Sequence, residues 1–156
     1  MPGYGTAGPD EGGGLLPWSW AEERLAAAHD YWLATVGDGG RPHVMPVWGL
    51  WRDGAVWFSS GLRSRKARNL AADPRCTVTT DDAHDPVVVE GVAGRVTDSG
   101  ELRAFADAVD AKYATSYGVE FYDPAVNGVW RVPPAKAIGL RQDDFSGSPT
   151  RWTFAG

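Results

Sequence analysis

Four basic residues lie within six positions of the sequence, between a strand-like run and a helix-like run. The four are Arg63, Arg65, Lys66 and Arg68. The first turn of a helix presents free backbone N–H groups and the positive end of the helix dipole. Together with the hydroxyl of Ser64, these cations make the segment suited to bind a phosphate. We therefore predict that it holds a phosphate-bearing cofactor; a solvated basic helix face is the alternative interpretation.

The composition argues against several other functions. The 156 residues include 15 Lys and Arg against 20 Asp and Glu, a net charge of −5, which argues against nucleic acid as the main partner. Cys76 is the only cysteine and lies in an alternating apolar run, so we expect a buried structural thiol. The three histidines show no metal-ligand spacing and no nucleophile motif occurs. We predict no metal and leave the catalytic residues unassigned.

The domain organisation follows from length and local composition. The length fits one domain. Residues 1–17 are rich in Gly and Pro, which predicts a flexible tail before a domain at 18–156. The first residues lack the basic and apolar regions of a signal peptide, and no apolar run approaches the ~20 residues that cross a bilayer. We therefore expect a cytoplasmic protein without a membrane partner.

The first half of the domain predicts a helix and three antiparallel strands. Ser19, with Glu22 three residues later, fits a capping box and predicts a helix to about His29. The three strand-like runs are 31–36, 43–51 and 55–59, and Gly-rich or Asp-Gly turns separate them. Pro46 lies inside the second run. Because proline has no N–H to donate, we expect this strand to leave its ladder there and to present backbone groups to a ligand.

The second half predicts two helices and further strands. The basic helix spans about 64–72 and ends at Asp73-Pro74. Asp98 with Glu101 predicts another helix start. Four apolar or aromatic residues then recur at helical spacing, which we interpret as a core face. The four are Leu102, Phe105, Val109 and Tyr113. The strand-like runs are 75–80, 87–97, 128–131, 136–141 and 150–154.

These elements predict a mainly β protein. Six or seven of these eight runs, as closely spaced strands with three helices, indicate an antiparallel barrel with peripheral helices. A small barrel fills its own interior with side chains, so we expect a ligand on the outside or across a dimer interface. The eight tryptophans fit aromatic-lined pockets or interfaces, and core filling explains them equally well.

Four short segments carry a resemblance to a known family. They are Gly39-Gly40-Arg41-Pro42-His43, Ser64-Arg65-Lys66-Ala67, Asn69-Leu70 with Asp73-Pro74-Arg75, and Val89-Glu90-Gly91-Val92-Ala93. In this order and spacing, residues from about 31 to 97 resemble the pyridoxamine 5′-phosphate oxidase-like split-barrel proteins. Members of that family bind flavin mononucleotide (FMN) or the deazaflavin coenzyme F420. The resemblance covers about half of the chain.

The resemblance implies an FMN-binding split-barrel fold and a homodimer with two cofactor sites at its interface. Arg65 and Lys66 match the family's phosphate-binding pair. Ser59 and Ser60 match positions that line the site at the end of the third strand. The second strand runs along the cofactor ring, and its matching residues are Val44, Met45, Pro46 and Val47. With Arg63 and Ser64, these are the predicted cofactor-binding residues.

Two departures count against pyridoxamine phosphate oxidation itself. Gly49 stands where the oxidases carry a substrate-binding lysine. The C-terminal run 151–154 lacks their closing Arg-Leu-x-Pro pattern. The run from Lys66 to Arg75 is more similar to the deazaflavin-using branch. His43 fits either a ligand or base, or an ordinary histidine positioned at a strand start.

The resemblance therefore implies an oxidoreductase that moves hydride between coenzyme F420 and a small planar substrate. An FMN-dependent oxidase or reductase and a non-catalytic flavin-binding protein are the alternatives, because all three need the same phosphate site. Arg63 and Arg68 add cations beyond the Arg65–Lys66 pair. This excess favours the longer, multiply anionic tail of F420 over FMN.

Overall fold

The computed structural model describes residues 15–154, which form nine strands and three α-helices. The strands are β1 (Asp30–Val36), β2 (Pro42–Arg52), β3 (Ala55–Gly61), β4 (Arg75–Thr80), β5 (Val87–Val92), β6 (Gly94–Val96), β7 (Asn127–Val132), β8 (Pro134–Gly139) and β9 (Thr150–Thr153). The helices are α1 (Trp18–Ala27), α2 (Arg65–Ala72) and α3 (Ser99–Tyr113). All strand pairs are antiparallel, in the order β6-β7-β3-β2-β1-β4-β5-β8-β9.

Strands from both halves of this sheet share one buried core. Tyr31 of β1, Val89 of β5 and Trp130 of β7 belong to the same cluster, which α1 joins through Leu25. Because strands far apart in the sheet order meet in this core, the sheet curls into an open, split barrel. The predicted fold class is confirmed, although nine strands exceed the six or seven expected.

A second core lies between α3 and the other face of β3 and β7. Phe105 and Val109 of α3 pack there with Trp57 and Val129. The predicted core face of α3 is therefore correct over most of its length. Tyr113 differs, because it is only partly buried at the edge of this cluster.

One expected strand, 87–97, is two strands. After Glu90 the register with β8 shifts, β5 ends at Val92, and β6 begins at Gly94 with β7 as its new partner. This break transfers the chain from one half of the sheet to the other. The break contributes to the higher strand count.

Two of the three described α-helices begin with a side-chain cap. Ser64 caps α2, since its Oγ accepts a hydrogen bond from the Ala67 backbone N–H at 3.2 Å, and Asp98 caps α3 in the same way. The predicted cap at Ser19 is wrong. The helix α1 begins two residues earlier, at Trp18 with Pro17 at the N-cap position, and the Trp20 N–H donates to the Pro17 carbonyl.

Strand β2 has different neighbours along its length. Its first part pairs with β1, from Val36 opposite Pro42 to Asp30 opposite Trp48, whereas pairing with β3 begins only at Gly49. Pro46 stays in the ladder with β1, so the expectation that the strand leaves that ladder is wrong. The side towards β3 is the open one, because β3 beyond Phe58 pairs with β7 alone.

The described range includes only the end of the predicted tail. Residues 1–14 lie outside it, so the division at residue 17 stays a prediction. Leu16 is buried, and its backbone N–H donates to Thr150 Oγ1 at 2.9 Å. The residues directly before α1 are therefore attached to β9.

Gly91 is the glycine at which we expect a side chain to be least tolerated. An added Cβ would lie 2.4 Å from the Pro133 carbonyl oxygen and 2.8 Å from Val132 Cγ1. We predict that Gly91→Ala lowers the free energy of unfolding by about 1–3 kcal/mol, because overpacking shifts backbone and side chains. Urea denaturation measures this change. Gly94→Ala is the matched control, since its Cβ would meet nothing closer than 3.8 Å, and equal losses in both variants would contradict the prediction.

Candidate functional site

The start of α2 is fixed to the end of β3 by two serine hydroxyls. The Oγ atoms of Ser60 and Ser64 lie 2.9 Å apart, and Ser64 also caps the helix. A third contact attaches the helix to β1, because buried Asn69 donates from Nδ2 to Thr35 Oγ1 at 2.9 Å. The predicted phosphate-binding segment is therefore a rigid junction of strand, loop and helix.

The four cations of this segment do not share one environment. Lys66 is half-buried, whereas Arg63, Arg65 and Arg68 are exposed. Arg68 folds back so that its Nη1 donates to the Arg63 carbonyl at 2.9 Å. The different exposure of these cations follows from the side of α2 that is buried. Ala67 and Leu70 face the core, so Arg65 and Arg68 lie on the opposite, exposed side of the helix.

A cleft of about 300 Å³ opens beside this junction. We call it the aromatic cleft. Its lining residues are Pro46, Val47, Trp48, Ser59, Ser60, Gly61, Lys66, Val109, Tyr117, Phe121, Tyr122 and Asn127. Half of the ten predicted site residues belong to this lining, namely Pro46, Val47, Ser59, Ser60 and Lys66.

The other predicted residues lie nearby without lining the cleft. Ser64 contacts it indirectly, through Ser60. Val44 and Met45 are exposed on β2, and Arg63 and Arg65 are exposed around the start of α2. The structure thus places one cation, Lys66, in the cleft.

The aromatic part of this site was not predicted from the sequence. Tyr117, Phe121 and Tyr122 come from the connection between α3 and β7, and Trp48 comes from the open part of β2. The signal was present in the sequence, since three aromatic residues stand in a connection that also contains Gly and Pro. Their position depends on the packing of α3 against β2, which residue types alone do not specify.

Trp48 is held in place by a residue of α3. Its ring stacks on Tyr113 with centroids 4.3 Å apart and planes 5° apart. The Tyr113 hydroxyl accepts a hydrogen bond from the Gly49 backbone N–H at 2.9 Å and donates to the His29 carbonyl. Burial raises the pKa of Tyr113 to about 12, so the hydroxyl stays neutral and keeps its donor near neutral pH.

Gly49 itself cannot carry a side chain in this arrangement. An added Cβ would lie 2.7 Å from the Trp57 carbonyl oxygen and 3.0 Å from the Tyr31 ring. Lys112 of α3 reaches the same place, and its Nζ donates to the carbonyls of Gly49 at 2.7 Å and Ala28 at 2.6 Å. Burial lowers the pKa of Lys112. The lysine that the oxidases carry at this position therefore has no equivalent here at residue 49.

The connection that carries the missed aromatic residues is anchored by Asp110. Its carboxylate accepts hydrogen bonds from the Thr115 hydroxyl at 2.6 Å and from the backbone N–H groups of Tyr117 and Gly118 at 3.1 and 3.0 Å. The Thr115 hydroxyl, more than the two N–H groups, holds the pKa of this carboxyl below its usual range. Asn127 Nδ2 donates to the Phe121 carbonyl at 2.7 Å. The aromatic residues thus lie on a restrained segment.

Other residues that were named from the sequence lie outside the aromatic cleft. Cys76 is buried, and burial raises the pKa of its thiol to about 12, which fits the predicted structural role. Asp73 pairs with Arg75, which lowers the pKa of that carboxyl to about 2. His43 lies on β2 opposite Thr35 and does not line the aromatic cleft.

Within 15–154 no group of three or more His, Cys, Asp or Glu side chains is placed to hold a metal ion. Over the same range, none of the helices has the length and apolar character needed to cross a membrane.

The outer face of the sheet beside the cleft exposes apolar side chains, which we call the apolar face, together with the charged side chains of Arg75, Glu90 and Lys136. Trp32, Val36, Val44 and Val92 are between 39% and 53% exposed. Strand register places Pro46 and Trp48 of the cleft on the same face as Trp32, because paired residues point to the same side. The cleft is therefore continuous with this face. A shallow cavity of about 560 Å³ lies farther along it, between Val36 and Val92.

Comparison with known proteins agrees with this architecture. The family model for pyridoxamine 5′-phosphate oxidase matches residues 21–139. A search of curated protein sequences finds no match.

Solved structures share the fold. A conserved hypothetical protein from Mycobacterium tuberculosis has 22% identity and a TM-score of 0.71 over 90% of this chain and 93% of that chain. An F420 reductase has 24% identity and a TM-score of 0.59 over 74% and 94%. A NimC/NimA family protein from Clostridium acetobutylicum has 16% identity and a TM-score of 0.68 over 87% and 91%. At these identities, the likeness shows the fold alone.

Proposed function

The chain belongs to the pyridoxamine 5′-phosphate oxidase family, and we propose that it is an oxidoreductase that transfers hydride between coenzyme F420 and a small planar substrate. The observation that carries this proposal is the position of Lys66. It lines the aromatic cleft together with Ser59 and Ser60, and it belongs to the first turn of a helix that Ser64 caps. Cation, hydroxyls and helix N-terminus are the groups that bind phosphate.

The residues of the cleft fit such a cofactor. Lys66, Ser60 and Ser64 would hold the phosphate next to the ring system, and the open part of β2 at Pro46 and Val47 would lie along the ring. When bound, the cofactor supplies the hydride chemistry. The protein then contributes binding, orientation and exclusion of water, so it needs no acid or base of its own.

Two observations favour F420 over FMN. Arg63, Arg65 and Arg68 are exposed around the start of α2, in addition to Lys66 in the cleft, and a longer anionic tail would use them. A protein of the same fold is an F420 reductase. An FMN-dependent oxidase or reductase is the second candidate, because the phosphate donors would serve FMN as well.

We further propose that the protein is a homodimer with the cofactor site at the interface. The support is the apolar face of the sheet, which exposes Trp32, Val36, Val44 and Val92 and is continuous with the aromatic cleft. A second copy of the chain would cover this face, and two-fold homodimers are the commonest closed assembly. A cytoplasmic location stays a prediction.

The first prediction of this proposal concerns the residues that bind the cofactor phosphate. We expect Lys66→Ala to weaken cofactor binding by roughly tenfold to a hundredfold, because it removes a partly buried charged hydrogen-bond donor. Arg65→Ala should weaken binding less, because an exposed cation is screened by solvent. Fluorescence titration with F420 and FMN measures both. Arg103→Ala, an exposed cation on α3, is the control, and unchanged affinity in Lys66→Ala would remove the basis of the proposal.

The second prediction concerns the choice of cofactor. We expect F420 to bind more tightly than FMN, and the preference to be smaller at about 1 M salt than at about 0.1 M, because exposed charges are screened. The double variant Arg63→Ala, Arg68→Ala should lower affinity for F420 more than for FMN. Parallel titrations at the two salt concentrations measure the difference. Tighter binding of FMN, or FMN retained through purification, would instead support the second candidate.

The third prediction concerns the assembly. We expect the unmodified protein to sediment as a dimer at micromolar concentration and Val92→Glu to sediment as a monomer, because the charge would be buried in the interface. Val126→Glu is the matched control, since Val126 is exposed outside the apolar face. An unmodified protein that sediments only as a monomer would overturn the dimer.

A further inference from the structure

Two pairs of stacked rings contribute Trp48, Tyr117 and Phe121 to the lining of the aromatic cleft. Trp48 stacks on Tyr113, and Tyr117 stacks on Phe121 with centroids 4.7 Å apart and planes 23° apart. Trp48, Tyr117 and Phe121 are 45%, 49% and 45% exposed. Large aromatic side chains that stay half exposed next to a cleft are not needed to fill the core. Their exposed faces are available for a ligand.

The pair from the α3–β7 connection is rigid. Phe121 packs edge-on against Tyr122, which packs edge-on against Phe105 in the core under α3. Asp110 fixes the backbone at Tyr117 and Gly118, and Asn127 fixes it at Phe121. Rings that are already held in place lose little conformational freedom when a ligand stacks on them.

The charge of the cleft is confined to one part of it. Among the described residues that line it, Lys66 is the only charged one, and it belongs to the start of α2. The lining from Trp48, Tyr117 and Phe121 is aromatic and uncharged. An anionic group would therefore be bound near Lys66, whereas the aromatic part suits an uncharged ring.

We infer that Tyr117 and Phe121 are specificity-determining residues, which select a flat, uncharged aromatic substrate in the part of the cleft next to Trp48. This inference rests on the proposed function for the identity of the reaction, because it assigns the phosphate-bearing cofactor to the Lys66 side. It adds the class of the second substrate and the residues that recognise it. Flat rings stack on these aromatic faces, whereas puckered saturated rings of the same size do not.

The experiment compares a flat ligand with a saturated one. Naphthalene carboxamide and decalin carboxamide have the same carbon framework and no charge, so equilibrium dialysis of both separates stacking from burial of apolar surface. The variants are Tyr117→Leu and Phe121→Leu, which keep an apolar side chain and remove the ring. Val126→Ala is the control in the same connection, since Val126 does not line the cleft. Each is measured with and without cofactor.

We expect the unmodified protein to prefer the flat ligand. Each leucine variant should weaken binding of the flat ligand roughly threefold to tenfold, leave the saturated ligand unchanged, and keep its cofactor affinity. If Phe121→Leu does not give a native circular dichroism spectrum, Tyr117→Leu decides the test, because its ring is half exposed.

Three results would overturn the inference. They are equal binding of the two ligands by the unmodified protein, flat-ligand binding that the leucine variants do not change, and loss of cofactor affinity in those variants. The last result would assign the rings to the cofactor and leave the proposed function intact. If neither F420 nor FMN binds the unmodified protein, the proposed function fails, whereas a preference for the flat ligand in the cofactor-free protein still supports these ring-binding residues.

Discussion

The site depends on the separation of β2 from β3 at Gly49. These strands pair only from Gly49 to the Asp53-Gly54 turn. Before Gly49, β2 pairs with β1 alone, and beyond Phe58, β3 pairs with β7 alone. The separation leaves one side of β2 open at Pro46 to Trp48. It also places the end of β3 beside the start of α2. A fully paired β2 would leave no room for the aromatic cleft, so the cofactor site proposed here exists because the barrel is split.

Gly49 sits at the branch point because its surroundings leave no space for a side chain. The Trp57 carbonyl and the Tyr31 ring occupy the position of a Cβ, and α3 reaches the same backbone from outside through Lys112 and Tyr113. Lys112 donates to carbonyls of both Ala28 and Gly49, so one ammonium connects α3 with the residue after α1 and with β2. The same contacts orient Trp48 through its stacking on Tyr113. The contacts around Gly49 therefore maintain the separation of β2 from β3 and also hold the Trp48 ring that lines the cleft.

Local sequence signals predicted the elements that depend on near neighbours. The Asp53-Gly54 turn forms with positive φ at both residues, and Ser64 and Asp98 cap their helices. Ser19 failed as a cap because a preceding proline, Pro17, starts the helix earlier and places Ser19 within it. A pattern of residue types does not distinguish these two starts.

The site was predicted only in part, for a related reason. The order of basic residues does not specify which face of α2 is buried, and burial of Ala67 and Leu70 sets the different environments of Lys66 and Arg65. The contribution of Tyr117 and Phe121 depends on how α3 packs against β2 and β3. Both strands precede Tyr117 by more than fifty residues along the chain. Such long-range placement is decided by tertiary packing, which local propensity does not encode.

The distribution of charge in and around the cleft matches an amphipathic ligand. Within residues 15–154, a flat aromatic surface and a single partly buried cation line the cleft, and three exposed arginines lie outside it. A partly buried cation is weakly screened by salt, so Lys66 should anchor an anionic group at any ionic strength. Exposed arginines act over longer distances but are screened, so they add selectivity for a longer anionic tail mainly at low salt. The aromatic part of the cleft would therefore recognise flat rings by stacking. Lys66 and the exposed arginines would recognise the anionic groups of the proposed cofactor by charge.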